Sequence, residues 1–264
     1  MSDRTGSLAC VGVGMTLGAH IGPRARAHIE QADVVFVAVS DPLVELWVQG
    51  MNPDVRSLQP FYGEGKPRTN TYREMIEAML TEVKAGKRVC GAFYGHPGVF
   101  AVVPHRAVAL AREAGYEAIM EAAVSAEDCL YADLGIDPGT VGCQHFEASQ
   151  FMFYRRVIDT SAFLVLWQVG VAGDPSLMRF SQDAALLDVL VELLRSQYPA
   201  RHEVIVYEAA TLPQAGHRAL RLPLEGLPSA ALTLASTLVV PPCSPMVPNM
   251  EVRARIRAMT PGLG

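Results

Sequence analysis

This sequence has no cationic surplus. Against 27 Asp and Glu it sets 22 Lys and Arg in 264 residues, a formal net charge of −5. A chain that holds nucleic acid through bulk positive charge is therefore not expected. Long apolar runs are also missing. The longest late stretch, residues 230–240, is too short to cross a bilayer and is broken by Thr and Ser. The opening MSDRTGSLACVGVGM lacks a basic segment ahead of an apolar core, so no signal peptide is read there. Cysteine is sparse: Cys10, Cys90, Cys129, Cys143 and Cys243 are odd in number and none forms CxxC. Reduced thiols and a cytoplasmic setting are expected. GxSxG, HExxH and Walker A motifs are absent, which removes the common hydrolase, metalloprotease and NTPase readings.

What is present is a globular composition, half of it apolar. Strand-like runs are predicted at Leu8–Val13, Asp33–Val39 and Arg88–Tyr94. Between the last two, Tyr72, Met75, Ile76, Met79, Leu80 and Val83 recur at helical spacing, with Gly86 as the stop. Pro104 suits a helix first turn, and Gly115 closes that helix. The alternation predicts an α/β fold with a largely parallel sheet. In the second half, Ser125 and Asp128 make a variant capping box for a short helix. Strands are predicted at residues 162–169, 203–207 and 232–240, and a leucine-rich helix at 183–197. A boundary near residues 121–124 divides an N-terminal α/β domain, 1–121, from a C-terminal one, 122–245, followed by a tail, 246–264. The cleft between such domains is a common cofactor site.

Three segments carry candidate chemistry. Gly12-Val13-Gly14 with Gly18 follows the first strand in GxGxxxG spacing, and Ser40-Asp41 follows the second. It reads either as a tight turn or as a ligand approach without a Cβ in the way. Tyr94-Gly-His-Pro-Gly-Val-Phe100 lies at the carboxyl edge of the sheet, where ligands bind in such folds. His96 and His105 lack a spaced Cys or third His, so no metal site is expected. Residues 59–72 form the third segment, where Tyr62, Lys66, Arg68 and Tyr72 crowd together. The segment reads either as a basic surface loop or as phenols beside a fixed cation, which would lower a tyrosine pKa.

Taken together, CVGVG, YGHPGVF, VSAED and LWQVG resemble the tetrapyrrole methylase superfamily, from about Leu8 to Pro242. Within it, KPRTNTY, YGHPGVF, SAEDCLYADLGIDP, GCQHFEASQF and STLVVPP resemble borosin α-N-methyltransferases, which methylate backbone amides of a ribosomally made peptide. The resemblance implies a two-domain tetrapyrrole-methylase-like fold (the class III S-adenosylmethionine methyltransferase fold), with the cofactor in the interdomain cleft and S-adenosylhomocysteine as product. It places Tyr62, Arg68, Tyr72 and Tyr94 at the reacting amide. Gly12, His96, Val99, Phe100, Ser125, Ala126, Trp167, Gln168 and Ala209 would line the cofactor site. Trp167 reads equally as a core aromatic, Ser125 as a cap, and Glu147 as a solvated or salt-bridged carboxylate. Ala122-Ala123 replace the family's Pro-Gly at the junction, and Thr69-Asn70 replace Arg-Asp after Arg68.

No apolar core peptide follows VVPPCSPM, so the expectation is the split type: a homodimer acting iteratively on a separate precursor in a 2:2 complex. Neither nucleic acid nor membrane is expected as a partner. Rival readings are methylation of a precorrin-like macrocycle, methylation of a modified histidine on a translation factor, and a non-enzymatic S-adenosylmethionine-binding peptide chaperone.

Overall fold

The computed structural model describes residues 5–39, 41–63, 65–174 and 181–260. Ser40 of the second glycine-loop signal and Glu64 of the tyrosine-rich segment lie outside them.

The first half is built on five parallel strands: β1 (Ser7–Gly12), β2 (Val34–Ala38), β3 (Val55–Ser57), β4 (Arg88–Phe93) and β5 (Glu117–Met120). Their order is β3-β2-β4-β1-β5. Alternation along each strand decides what covers each face. Leu8, Cys10, Val34 and Phe36 pack under α3 (Arg68–Lys84) and α4 (Val102–Glu113). Ala9, Val11, Val35 and Val37 pack under α1 (Pro23–Gln31) and α2 (Pro42–Gln49). With both faces buried, the central strands β1, β2 and β4 are apolar along most of their length, as parallel strands under helices are. The helical stripe read from the sequence is the buried face of α3, where Met75, Ile76, Met79 and Val83 are all inside. Pro104 sits in the first turn of α4 and is buried there. Asp41 caps α2 by accepting a hydrogen bond from the Leu43 amide at 2.8 Å.

Residues 121–124 lead to α5 (Ala126–Leu134), α6 (Pro138–Val141), β6 (Cys143–Glu147), α7 (Ala148–Phe153), β7 (Phe163–Trp167), α8 (Ala184–Arg195), β8 (Glu203–Glu208), β9 (Arg218–Pro223), β10 (Thr237–Val240) and α9 (Met250–Met259). The second sheet runs β6-β7-β10-β8-β9. Only β6 and β7 pair in parallel; the other three pairs are antiparallel. One face buries Leu164, Leu166, Val204, Val206 and Leu238 under α7 and α8, and the other buries Val165, Trp167, Ile205, Tyr207 and Val239 with Leu130 of α5.

One predicted strand is shorter than its sequence suggests. Residues 232–240 yield only the four-residue β10. The Thr233 amide donates to Ser236 Oγ, and Thr233 Oγ1 accepts from the Ala235 amide. Such local side-chain bonds to the backbone compete with a ladder and turn the chain first. All five cysteines are free. Among the described residues, no helix is long and apolar enough to cross a membrane.

Candidate active site

Three loops leave the carboxyl ends of β1, β4 and β3 and converge. After β1 the chain reaches Gly14, which pairs with Gly95 after β4: each amide donates to the other's carbonyl, at 3.2 and 2.9 Å. This close approach explains the first glycine. A Cβ on Gly12 would lie 2.1 Å from the Gly95 oxygen and 2.5 Å from the Ala123 Cβ. The space is taken by the protein's own backbone and by one of the two alanines of the junction. Gly14 has φ +75°, and a Cβ there would meet His20 at 2.1 Å.

The β4 loop is braced internally. His96 Nδ1 accepts from the Gly98 amide at 2.9 Å, and His105 Nε2 lies 2.9 Å from the Gly98 carbonyl. Both imidazoles thus hold loop backbone, and no group of metal-ligating side chains occurs among the described residues. The loop ends at Phe100, with φ +50°. Among the described residues only Phe100 and Gln168 (φ +58°) are non-glycine residues with positive φ. Such conformations cost about 1–3 kcal/mol each and cluster at functional sites. The two residues flank one contact: the Phe100 ring centroid is 5.5 Å from that of Trp167, which is buried at the end of β7. Trp167 is thus a core aromatic that packs against the end of the β4 loop.

Two backbone-directed bonds cross between the halves nearby. Thr16 Oγ1 donates to the Ala210 carbonyl and the Leu17 amide to the Thr211 carbonyl, both at 2.9 Å. Glu208, just ahead of Ala209, accepts from Ser236 (2.5 Å), Thr233 (2.9 Å) and Arg218 (2.9 Å). Burial would raise its pKa, but these donors outweigh burial and hold it below the usual carboxylate value. The sequence reading missed this bracing, because its partners are scattered over some thirty residues without a motif.

Ser125 closes a full capping box. Its amide and hydroxyl donate to Asp128 Oδ2, both at 2.7 Å, while its oxygen accepts from the Asp128 amide at 3.3 Å. The hydroxyl is committed to starting α5. Replacing Ser125 with Ala is expected to cost about 1 kcal/mol of stability, read as a lowered denaturation midpoint with unchanged m-value. Glu147, half-buried, is the N-cap of α7, accepting from the Ser149 and Gln150 amides at 3.1 and 2.8 Å.

The third loop carries the tyrosines. Tyr62 ends a 3₁₀ turn, Gln59–Phe61. Lys66 Nζ and Thr71 Oγ1 both donate to the Phe61 carbonyl, at 2.8 and 3.2 Å, and Lys66 also binds Glu74 at 2.6 Å. Gln59 donates to the Val39 carbonyl at 2.7 Å, a purely structural bond. The loop is folded back on the start of α3, where Arg68 and Tyr72 stand one turn apart. Tyr62, Arg68, Tyr72 and Tyr94 interact as one group.

In one respect the group differs from expectation. Arg68 alone would pull Tyr62 down. Instead burial, then the neighbouring Tyr72 and Tyr94, push the Tyr62 phenol up to about 12, with Arg68 opposing and a hydrogen bond to Tyr72 adding to the rise. Desolvation outweighs one cation here. Tyr94 is shifted up as well, first by burial, then by Tyr72, again against Arg68. Its residue surface is 49% exposed, yet enough protein surrounds its hydroxyl to disfavour the charged form.

The sequence profile of the Tetrapyrrole (Corrin/Porphyrin) Methylases matches residues 7–227. The chain belongs to the tetrapyrrole methylase family. Its fold agrees with solved family structures. A cobalt precorrin-4 methyltransferase superposes with TM-score 0.62 at 16% identity, over 89% of this chain and 94% of that one. The uroporphyrin-III-C-methyltransferase of Thermus thermophilus gives 0.62 at 20% identity, over 90% and 93%.

More similar in sequence are fungal proteins. A methyltransferase/ribosomally synthesized type I borosin cyclic peptide precursor from Coprinopsis marcescibilis is 44% identical over 215 residues, 80% of this chain and 55% of that protein. The methyltransferase/ribosomally synthesized cyclic peptide omphalotin A precursor of Omphalotus olearius is 38% identical over 263 residues, 98% and 63%. The chain thus spans 55% to 63% of the length of these two relatives.

The aromatic groups at this edge agree in character with the cofactor implied by this family. Phe100, 44% exposed and backed by Trp167, offers aromatic surface of the kind that holds a purine or a sulfonium. Gly12, His96, Val99 and Phe100 come from the first half, and Ser125, Ala126, Trp167, Gln168 and Ala209 from the second.

Proposed function

We propose that the protein is an S-adenosylmethionine-dependent methyltransferase that N-methylates backbone amides of a ribosomally made peptide, iteratively and on a separate precursor. The observation that carries this reading is the gathering of Tyr62, Tyr72, Tyr94 and Arg68 into one group at the carboxyl edge of the parallel sheet, in a chain 44% identical to a protein named as methyltransferase and peptide precursor together.

S-adenosylmethionine, when bound by Gly12, His96, Val99, Phe100, Ser125, Ala126, Trp167, Gln168 and Ala209, supplies an electrophilic methyl group on a sulfonium. The difficulty then lies with the amide, whose nitrogen lone pair is delocalised into its carbonyl. The protein must remove the N–H proton and stabilise charge on the oxygen. Tyr62, as phenolate, takes the proton. Arg68 stabilises the negative oxygen of the resulting imidate. Tyr72 holds Tyr62 through their hydrogen bond, and Tyr94 positions the amide at the open side of the group. A phenol at about 12 is a strong base that is scarcely ionised at neutral pH. Hence kcat/KM with peptide in solution is expected to climb about tenfold per pH unit between neutrality and the phenol's ionisation. A flat profile would show that the base is already ionised at neutral pH, against a phenol raised by burial.

The protein acts as a cytoplasmic homodimer in this reading, two enzymes to two peptides. Support comes from α9, which buries none of its residues and leaves Met250, Val252, Ile256 and Met259 47–73% exposed. An apolar helix face of this kind is ordinarily covered by a partner. Light scattering of the full chain, with and without peptide, is expected to give a dimer and then a 2:2 complex. Addition of a separate synthetic peptide tests action in trans.

A further inference from the structure

The GCQHFEASQF segment contains one histidine to which the reading above gives no role. His145 lies on β6 beside β7, in register with Val165, two residues before Trp167. Its Nδ1 is 3.1 Å from Trp167 Nε1, and its Nε2 is 2.8 Å from the Tyr131 hydroxyl, which is in turn 3.0 Å from Glu127 Oε1. The imidazole and indole planes lie within 16° of each other, with ring centroids 5.9 Å apart. A continuous line therefore runs from α5 through His145 and Trp167 to Phe100, across the two halves of the molecule.

The indole on this line fixes where the neutral imidazole carries its proton. Indole N–H can only donate, so His145 Nδ1 must accept. The proton of a neutral imidazole is then on Nε2, which donates to the Tyr131 oxygen, and Tyr131 donates to Glu127. We infer that His145 is a positioning residue for the cofactor cleft: as the neutral Nε2–H tautomer it fixes the Trp167 indole against Phe100, and a proton added to its Nδ1 lone pair replaces that acceptor with a donor and releases the ring.

The surroundings favour the neutral form. Glu127, with Oε1 3.5 Å from His145 Nε2, and Tyr131 face His145 from α5; Cys143, two residues back on its own strand, hydrogen-bonds with Tyr131; β7 presents Trp167, which does not titrate. Burial lowers the imidazole pKa and outweighs the Glu127 carboxylate, which raises it. Tyr131 is pushed up, chiefly by burial, and so keeps the proton it donates. The position of Gln168 makes the register of Trp167 consequential. Immediately after the indole the chain enters its left-handed turn at Gln168, which lies beside the ring that His145 holds.

Two measurements on the full chain test this. In a Trp47→Phe background Trp167 is the sole indole. Its emission is expected to fall as pH drops below the ordinary imidazole range, within about pH 5 to 8, and to lose that dependence in His145→Asn, whose amide oxygen keeps an acceptor near the Nδ1 position. Nitrogen NMR of the wild-type imidazole is expected to show the Nε2–H tautomer at neutral pH. Calorimetry then reads S-adenosylmethionine affinity. His145→Leu is expected to weaken it by about tenfold, the scale of one lost buried hydrogen bond, and His145→Asn to restore most of that loss. An Nδ1–H tautomer, or pH-independent emission, overturns the inference without needing a folded variant. So does a His145→Leu protein that binds like wild type. The binding arm rests on the cofactor reading above, and wild-type protein that binds no S-adenosylmethionine would overturn that reading while leaving the tautomer result to stand or fall alone.

Discussion

Tyr62→Phe is expected to lower the rate of amide methylation by roughly a hundred- to ten-thousand-fold, the range that a positioned general base supplies. Phe keeps the ring and removes only the hydroxyl, so the packing of Tyr62 against α3 and β4 should persist. S-adenosylmethionine affinity is expected to stay within a few-fold of wild type, since Tyr62 belongs to the peptide side of the cleft. The residual rate should also lose its rise with pH, because the group that ionises is gone. Arg68→Ala removes the one cation that acts on both Tyr62 and Tyr94. Its effect should be of similar size and not additive with that of Tyr62→Phe, as for residues that act as a unit. Full activity in Tyr62→Phe would assign the proton to another acceptor.

Gly12→Ala is expected to produce the second large effect, on stability. The added methyl would stand 2.1 Å from the Gly95 carbonyl oxygen, 2.5 Å from Ala123 and 2.9 Å from Pro97, so three segments must move. Relief at a flexible side-chain tip is not available, because the nearest atom is backbone. Overpacking of this kind costs about 3 kcal/mol or more, which in a chain of this size lowers Tm by roughly 6–12 °C. The Gly14–Gly95 bridge is the first structure to open, so cofactor affinity should fall with it. The measurement is a thermal melt beside a binding isotherm. A Tm within a degree or two of wild type would mean that the β1 and β4 loops do not approach as closely as described.

Much of this architecture is legible in the chain. The first sheet announces itself because its strands are buried on both faces and its helices carry regular stripes. The Ser125–Asp128 box is equally plain, since the bonds involved are local. The second sheet is less so. Residues 232–236 look like strand by composition, but Thr233 and Ser236 spend their hydroxyls on a turn. Short edge strands such as β3 and β9 carry few fully buried residues and leave little pattern.

At the site, residue types and their spacing bring Tyr62, Arg68 and Tyr72 together, because a loop closed on a helix start keeps near neighbours near. What spacing cannot convey is desolvation. The same cluster reads as a lowered pKa when only the arginine is weighed, and as a raised one when the surrounding protein is included. His145 stands in a recognisable motif, yet its role depends on which nitrogen faces an indole on the next strand, a relation that only the register of β6 and β7 defines.

The most direct measurement is tandem mass spectrometry of a separate apolar peptide incubated with the protein and S-adenosylmethionine, compared with the same reaction using Tyr62→Phe. The expected result is successive increments of one methylene unit that fragment with the peptide backbone nitrogens and disappear in the variant. Increments confined to side chains, or an unmodified peptide beside protein that binds both the peptide and the cofactor, would contradict backbone N-methylation as the function.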